Sequence, residues 1–204
     1  MKNLKPRTVL FRRKRELRTN YRKRLSTLMG QKPRVVVRFT NKNIVAQLVT
    51  FQPTGDVVVV GVDSCKELKT LGWNYSAKNV PASYLTGLLF AKKVLAKGIK
   101  EGVLDTGFKQ PLKGGKCFAF LKGVVDGGLV VPHDAEVVGV AADRLQGKHI
   151  EQYVQQAQGK NKGQFTQYLK TNGAGKDIGK LFESVKQKIG VAVKKLEIRS
   201  ENQK

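Results

Sequence analysis

Residues 33–63 read PRVVVRFTNKNIVAQLVTFQPTGDVVVVGVD, and this stretch decides the fold. It contains three runs rich in Val, Ile and Phe, at residues 34–39, 44–51 and 57–62. Turn-forming residues separate the runs, first Asn-Lys-Asn and then Pro-Thr-Gly-Asp. Because β-branched and aromatic runs bounded by such turns are typical of strands, the stretch predicts an antiparallel meander. The last run opens with consecutive valines, which predicts a strand covered on both faces.

The chain beyond residue 63 changes to a helical pattern. Apolar spacing and capping signals predict helices at residues 64–71, 81–97 and 116–125, with a brief strand at 103–104. Since two helices separate this strand from the meander, we expect it to lie parallel to a neighbouring strand. The order β-β-β-α-α-β-α therefore predicts an α/β fold, with a mixed sheet and helices on both faces.

Positive charge is concentrated at the N-terminus. The chain has a formal net charge of +24, and eleven of its first 24 residues are Lys or Arg against a single acid, Glu16. Such a segment repels itself unless an anion neutralises it. Phosphate fits best, because Arg binds its oxygens bidentately and each neutralised phosphate releases counterions. The sequence therefore predicts a polyphosphate partner, with a non-specific basic tail as the alternative.

One short helix is expected within this basic arm. Apolar residues recur at helical spacing from Tyr21 to Met29, Thr19 or Asn20 can cap the start, and Gly30 ends the segment. The three residues after Tyr21 are all cationic. We expect the apolar side to dock on protein, the cations to meet phosphate, and the residues before Asn20 to be extended until bound.

Three regions follow from charge and pattern: a basic arm at 1–32, an α/β core at 33–150 and a helical extension at 151–204. The extension has helical apolar spacing but too little apolar surface to fold alone, so we expect it to pack on the core or on a partner.

Cys65 and Cys117 lie in no C-x-x-C motif, which indicates reduced thiols. With no apolar run of bilayer length and no signal-peptide pattern, we expect a soluble cytoplasmic protein.

Three groups of residues are candidates for chemistry. The triplet at residues 105–107, Asp-Thr-Gly, matches the aspartic proteases, but catalysis there needs two carboxylates, so we interpret Asp105 as a turn residue. Asp63, Asp105 and Asp126 are a second candidate, for a metal-binding carboxylate cluster, although three isolated acids are expected by chance in a domain of this size. Residues 113–116, Lys-Gly-Gly-Lys, precede a predicted helix and suit a phosphate, with a solvated loop as the alternative.

Trp73 and Tyr75 lie between two predicted helices, close to Lys78. Aromatic rings beside cations can stack on unpaired bases, or they can close a core, which composition alone slightly favours. The surrounding residues are polar, and a polar loop runs over the surface. We therefore predict that at least one of the two rings contacts RNA.

Several stretches resemble one family in the same order along the chain. They are FRRKRE, TNYRKRL, PRVVVRFTNKNIVAQLV, ASYLTGLLFAKK, LDTG, FAFLKGVVDGGLVVPH and GKHI. The family is the 5S-RNA-binding protein of the large ribosomal subunit, number eighteen in bacterial naming and number five in eukaryotic naming. The resemblance covers residues 11–150 and, more loosely, GQFTQYLK in the tail. Since the chain lacks the long eukaryotic insertion before LDTG, it looks archaeal.

This resemblance implies an RNase-H-like core of the translation-component type and a structural function without enzymatic activity or cofactor. The chain would bind 5S rRNA and anchor it to large-subunit rRNA in the central protuberance, beside neighbouring ribosomal proteins. The contacts would come from the arm, from the turn after the first strand and from the loop before the Phe-Ala helix. With the residues singled out above, the candidate RNA-binding residues are Arg7, Phe11, Arg12, Arg13, Lys14, Arg15, Arg18, Asn20, Tyr21, Arg22, Lys23, Arg24, Arg34, Arg38, Asn41, Lys42, Trp73, Tyr75, Lys109, Lys113 and Lys116.

Two other functions stay open at this point. An RNase-H-fold hydrolase would show magnesium-dependent RNA cleavage that Asp105→Asn abolishes. A nucleoid-type DNA-binding protein would prefer duplex DNA to folded RNA.

Overall fold

A computed structural model of the chain describes residues 9–157 and 178–201. Within this part, a mixed sheet has the strand order β3-β2-β1-β4. Its strands are β1 (Arg34–Phe39), β2 (Ile44–Thr50), β3 (Val57–Asp63) and β4 (Val103–Asp105). β2 pairs antiparallel with β1 and β3, whereas β4 pairs parallel with β1. The predicted meander, the parallel fourth strand and the α/β class are confirmed.

Alternation along β1 gives the sheet two different faces. Val35 and Val37 are fully buried in the core, while Arg34, Val36 and Arg38 lie on the opposite face. At the edge strand β3 the pairing shifts at a bulge, and Val57–Val59 are 37–49% exposed. The prediction that this strand is covered on both faces is wrong, because β3 is an edge strand and its first residues extend beyond the packed helices.

One face of the sheet carries the helical layer. The helices here are α3 (Ser64–Thr70), α4 (Val80–Leu95) and α5 (Lys116–Asp126). α4 packs on β2 and β3, and its residues from Val80 to Ala91 are all buried between the sheet and α5. Two glycines allow α4 and α5 to pack closely. A Cβ on Gly87 would clash with the Phe120 backbone oxygen, and a Cβ on Gly123 would clash with the Tyr84 backbone oxygen.

The basic arm lies on the other face of the sheet. It contains α1 (Arg12–Arg15) and α2 (Tyr21–Met29). α2 has the predicted bounds, and Asn20 caps it by accepting a hydrogen bond from the Lys23 backbone N–H (3.1 Å). The prediction of an extended chain before Asn20 is wrong for α1, which forms a single helical turn.

The remaining helices close the end of the core. They are α6 (Ala135–Val138), α7 (Ala142–Gln146), α8 (Lys148–Ala157) and α9 (Ile178–Glu201). α9 contributes Ile178, Phe182, Val185 and Ile189 to the main hydrophobic core, so the C-terminal extension packs on the core. The helical pattern expected around residues 165–169 lies outside the described residues. None of the helices that the structure describes combines the length and the apolar character of a membrane span.

Candidate nucleic-acid interface

The cations of the first arm helix and its surroundings face solvent. Arg13, Lys14 and Arg15 are exposed, and Glu16 accepts exposed ion pairs from Arg12 (3.9 Å) and Arg18 (3.0 Å). Exposed pairs of this kind contribute little to stability. Most of the arm's positive charge is therefore available to a solvent-side anion. The candidate Arg7 lies outside the described residues.

Two aromatic rings lie among these cations. The Phe11 ring is 74% exposed and packs at a tilt on the Tyr21 ring, with the centroids 5.6 Å apart. Tyr21 itself is 37% exposed. Exposed rings next to Arg side chains provide stacking surfaces for unpaired bases. The candidates Phe11 and Tyr21 therefore lie where RNA can reach them.

α2 has the opposite orientation from the one that its sequence predicts. Leu25 and Met29 are 64% and 72% exposed, while Lys23 and Arg24 turn toward the core. The Lys23 ammonium donates to the Thr106 hydroxyl (3.2 Å), and the Arg24 guanidinium donates bidentately to Asp56 (2.7 and 2.9 Å). Both cations have partners within the protein and are half-buried, so a phosphate would have to compete with Thr106 and Asp56, and their contact with phosphate stays a prediction. Arg22 remains exposed.

Arg34 is a structural residue of the same network. It is 4% exposed, and its guanidinium contacts Asp56 (2.6 Å) and Asp105 (3.4 Å). Its assignment as an RNA contact is wrong, since a buried cation between two carboxylates cannot meet a phosphate. Burial raises the pKa of Asp56, but hydrogen bonds and charges from Arg24 and Arg34 outweigh this effect and hold the pKa below 3.8.

Asp105 stabilises the turn that follows β4. One carboxylate oxygen accepts a hydrogen bond from the Gly107 backbone N–H (2.7 Å), and the other contacts Arg34. The Arg38 guanidinium donates to the Asp105 carbonyl (2.8 Å), yet its side chain stays 43% exposed. The interpretation of Asp105 as a turn residue agrees with these contacts, and Arg38 keeps an accessible surface.

The other acids of the proposed carboxylate cluster are engaged elsewhere. Asp63 caps α3 by accepting from the Cys65 backbone N–H (2.9 Å), and Asp126 accepts from the Tyr84 hydroxyl (2.9 Å). In residues 9–157 and 178–201, no three His, Cys, Asp or Glu side chains are grouped as metal ligands. The three aspartates thus have separate structural contacts.

A cavity of about 330 Å³ separates the arm from the sheet. Its charged lining residues are Arg13, Arg18, Lys23, Arg24, Arg34, Arg38, Asp56 and Asp105. Next to it, a hollow of about 230 Å³ is lined by Leu17 and Arg18 of the arm and by Phe108 and Lys109 after β4. The basic surface of the arm therefore continues past Arg38 to the loop before α5.

The loop between β4 and α5 carries the second group of cations. Lys109, Lys113 and Lys116 are exposed, as are Asn41 and Lys42 in the turn between β1 and β2. Gly115 precedes α5 without a side-chain cap. The loop has the cations that its sequence indicates, but the Gly115 backbone N–H donates to the Leu112 carbonyl (2.9 Å) and is not open to a phosphate.

Two further cations, Lys78 and Arg144, lie close to this loop and were not among the predicted RNA-binding residues. Arg144 of α7 lines the same cleft as Lys109 and Lys116. Burial, followed by the charges of Lys78 and Lys109, lowers the pKa of Lys116, so Lys78 also lies nearby. No local pattern marks Lys78 or Arg144, because separate parts of the chain bring them here.

Trp73 and Tyr75 are core residues. Trp73 is 0% and Tyr75 is 8% exposed, and their rings meet edge to face with centroids 5.8 Å apart. The indole N–H donates to the Ser76 carbonyl (3.1 Å). The predicted RNA contact is wrong, because the loop alternates like a strand, burying Trp73, Tyr75 and Ala77 and exposing Asn74 and Lys78. The alternation of apolar and polar residues from Trp73 to Lys78 is the sequence signal that could have predicted the burial of both rings.

Comparison with known proteins identifies the family. A family model described as "Ribosomal large subunit proteins 60S L5, and 50S L18" matches residues 6–102. A large ribosomal subunit protein uL18 from Caldivirga maquilingensis is 43% identical over 198 residues, 95% of each chain. Proteins of the same name from Korarchaeum cryptofilum and Sulfurisphaera tokodaii are 43% and 41% identical, each over 89% of this chain and 93% of their own.

The chain belongs to the uL18 family of large ribosomal subunit proteins, and its relatives make it an archaeal-type member. A structural role in the ribosome follows from this membership, and the hydrolase and nucleoid alternatives receive no support.

Proposed function

We propose that this protein binds 5S rRNA and anchors it to large-subunit rRNA in the central protuberance, next to other large-subunit proteins. The observation that carries the proposal is the arm, whose exposed cations outnumber the acids paired with them, Glu16 and Glu101, in the described part of the chain. Family membership makes rRNA the natural polyphosphate for this arm.

The arm and the core have different tasks in this proposal. The arm provides most of the affinity through phosphate neutralisation, which is independent of sequence. The surface from Arg38 to Lys116 is built on the rigid sheet and helices, so it fixes how the protein is oriented on folded RNA. Exposed Phe11 and Tyr21 add stacking surface for unpaired bases.

The test is to remove residues 1–18, which carry eight cations and one acid. The deletion ends before Asn20, so α2 and the Arg24–Asp56 contact remain and the core should stay folded. We expect weaker binding to 5S rRNA and a shallower dependence of log affinity on log salt, by about 0.7–0.9 for each phosphate that the shortened protein no longer neutralises.

A Lys97→Gln and Lys100→Gln variant is the control, because both lysines are exposed after the C-terminal end of α4 and lie outside the deleted segment. An unchanged salt slope after the deletion would contradict the role of the arm. Full-length protein that binds duplex DNA as tightly as 5S rRNA would contradict the proposed RNA preference.

A further inference from the structure

We propose that the cleft between β1, the start of α4 and the β4–α5 loop holds one unstacked rRNA nucleotide, with its base in the cleft and its phosphates on Lys78, Lys109 and Lys116. These three are called the rim lysines below. The inference rests on the proposed RNA-binding function and specifies what this surface recognises.

The cleft has the size and lining of a small-ligand site. Its volume is about 310 Å³, at the lower end of the range for such pockets. Its walls include the apolar side chains of Phe39, Val80, Pro111, Leu112 and Cys117. The flat face of a nucleic-acid base can pack against these apolar walls, whereas a hydrated phosphate would gain nothing from them.

The rim lysines supply a charge that the protein itself does not neutralise. All three side chains are exposed, and their ammonium groups have no ion pair or hydrogen bond within the described part of the chain. Lys78 and Lys109 are close enough to Lys116 for their charges to act on it. Clustered cations without acids are complementary to the phosphates on either side of a nucleotide.

The aromatic wall of the cleft is available for stacking. The Lys109 ammonium lies over the Phe39 ring, 5.3 Å from its centroid, in the place that a base would take. An exposed cation–π contact is weaker than base stacking on an aromatic ring. When RNA binds, exchanging the ammonium for a base therefore favours the complex, and Lys109 becomes free to contact a phosphate.

Three polar groups border the cleft and can hydrogen-bond the edge of a base. The Gln110 amide provides both a donor and an acceptor, and the Thr106 hydroxyl, which accepts from the Lys23 ammonium, keeps its own O–H to donate. The Arg144 guanidinium can stack on the base or donate to it. An acidic peptide would use the rim lysines, but it would leave the aromatic wall and the amide without a function.

The first experiment is ultraviolet crosslinking of the full-length protein to unmodified 5S rRNA, followed by peptide mass spectrometry. We expect a single nucleotide attached to the peptide that contains Phe39 or the one that contains Cys117. Crosslinks confined to arm peptides would overturn the inference.

The second experiment compares Phe39→Leu with Phe51→Leu. Phe51 is 55% exposed after β2 and does not line the cleft, so it is the matched control. We expect Phe39→Leu to weaken 5S rRNA binding about tenfold, as for the removal of one stacked base, while Phe51→Leu leaves it unchanged. Melting temperatures of both variants confirm that they are folded.

Equal affinities of the two variants, with 5S rRNA still bound, would overturn the cleft inference alone. A full-length protein without preference for 5S rRNA would overturn the proposed function instead. The same pair of variants would then test the cleft on large-subunit rRNA.

Discussion

The most informative single residue is Asp56, which two arginines contact from different parts of the chain. Arg24 approaches from the arm and Arg34 from β1. A buried arginine without a carboxylate would be strongly destabilising. Asp56 and Asp105 therefore allow the Arg34 side chain to be buried on the face of the sheet that the arm covers. The same contacts attach the arm to the core.

Replacing Asp56 with Asn should lower the free energy of unfolding by about 1–3 kcal/mol at neutral pH, because the nearest carboxylate to the Arg34 guanidinium is removed. The folded-state pKa of Asp56 lies below the unfolded value, so its contribution is present above about pH 4 and disappears as the pH falls through the lower folded value. Urea unfolding of both proteins from pH 7 downward should show their difference shrinking below about pH 4. A difference that stays constant into acid would contradict this role.

Trp73 provides a second prediction at the residue scale. Because its ring is fully buried, Trp73→Ala should lower stability by about 3–5 kcal/mol. RNA affinity, measured well below the melting temperature, should not change. Trp73→Phe, which keeps an aromatic ring in the core, should cost less stability. Weaker RNA binding at an unchanged melting temperature would restore the stacking interpretation.

Among the elements, the α4–α5 pair depends on two glycines. Gly87 and Gly123 let the helix backbones approach more closely than any side chain would allow. Glycine inside a helix costs about 1 kcal/mol relative to alanine, so these positions are unfavourable for the isolated helices. Close packing outweighs that cost.

Gly123→Ala should therefore destabilise the protein by about 1–3 kcal/mol or more, despite its better helix propensity, since the new methyl group meets the Tyr84 backbone oxygen. Gly190→Ala in α9 is the control, because its Cβ would only touch the flexible end of Lys92. We expect that control to gain up to about 1 kcal/mol in denaturant unfolding. A stabilised Gly123→Ala would show that the helices can separate without cost.

At the scale of the whole molecule, α9 completes the core although it lies far away in sequence. Four of its apolar side chains are at most 4% exposed, and the Phe182 ring packs against the Tyr84 ring of α4 with centroids 5.6 Å apart. The C-terminal helix is therefore part of the same folding unit as α4, on which it packs.

Phe182→Ala should lower stability by about 3–5 kcal/mol, with the core and α9 unfolding in one transition. Glu183→Ala, an exposed neighbour on the same helix, should change it by less than about 0.5 kcal/mol. Thermal unfolding followed by circular dichroism measures both variants. Two separate transitions in Phe182→Ala would show that α9 folds independently.

Local sequence features determined much of the secondary structure and the charge distribution of this protein. The meander, the cap at Asn20, the turn at Asp105 and the cationic arm all depend on residues close together in the chain, and each was predictable. Family membership was also visible in the order of the motifs.

Only the tertiary structure decided which cations face solvent and which rings are buried. Arg24 and Arg34 bind Asp56 from 32 and 22 residues away, and Arg34 reaches Asp105 across 71. These contacts turn α2 so that its apolar side is exposed, and similar long-range packing assembles the cleft from β1, α4, α7 and the β4–α5 loop. Periodicity shows that a helix has two faces, but the choice between them depends on partners that only the folded chain brings together.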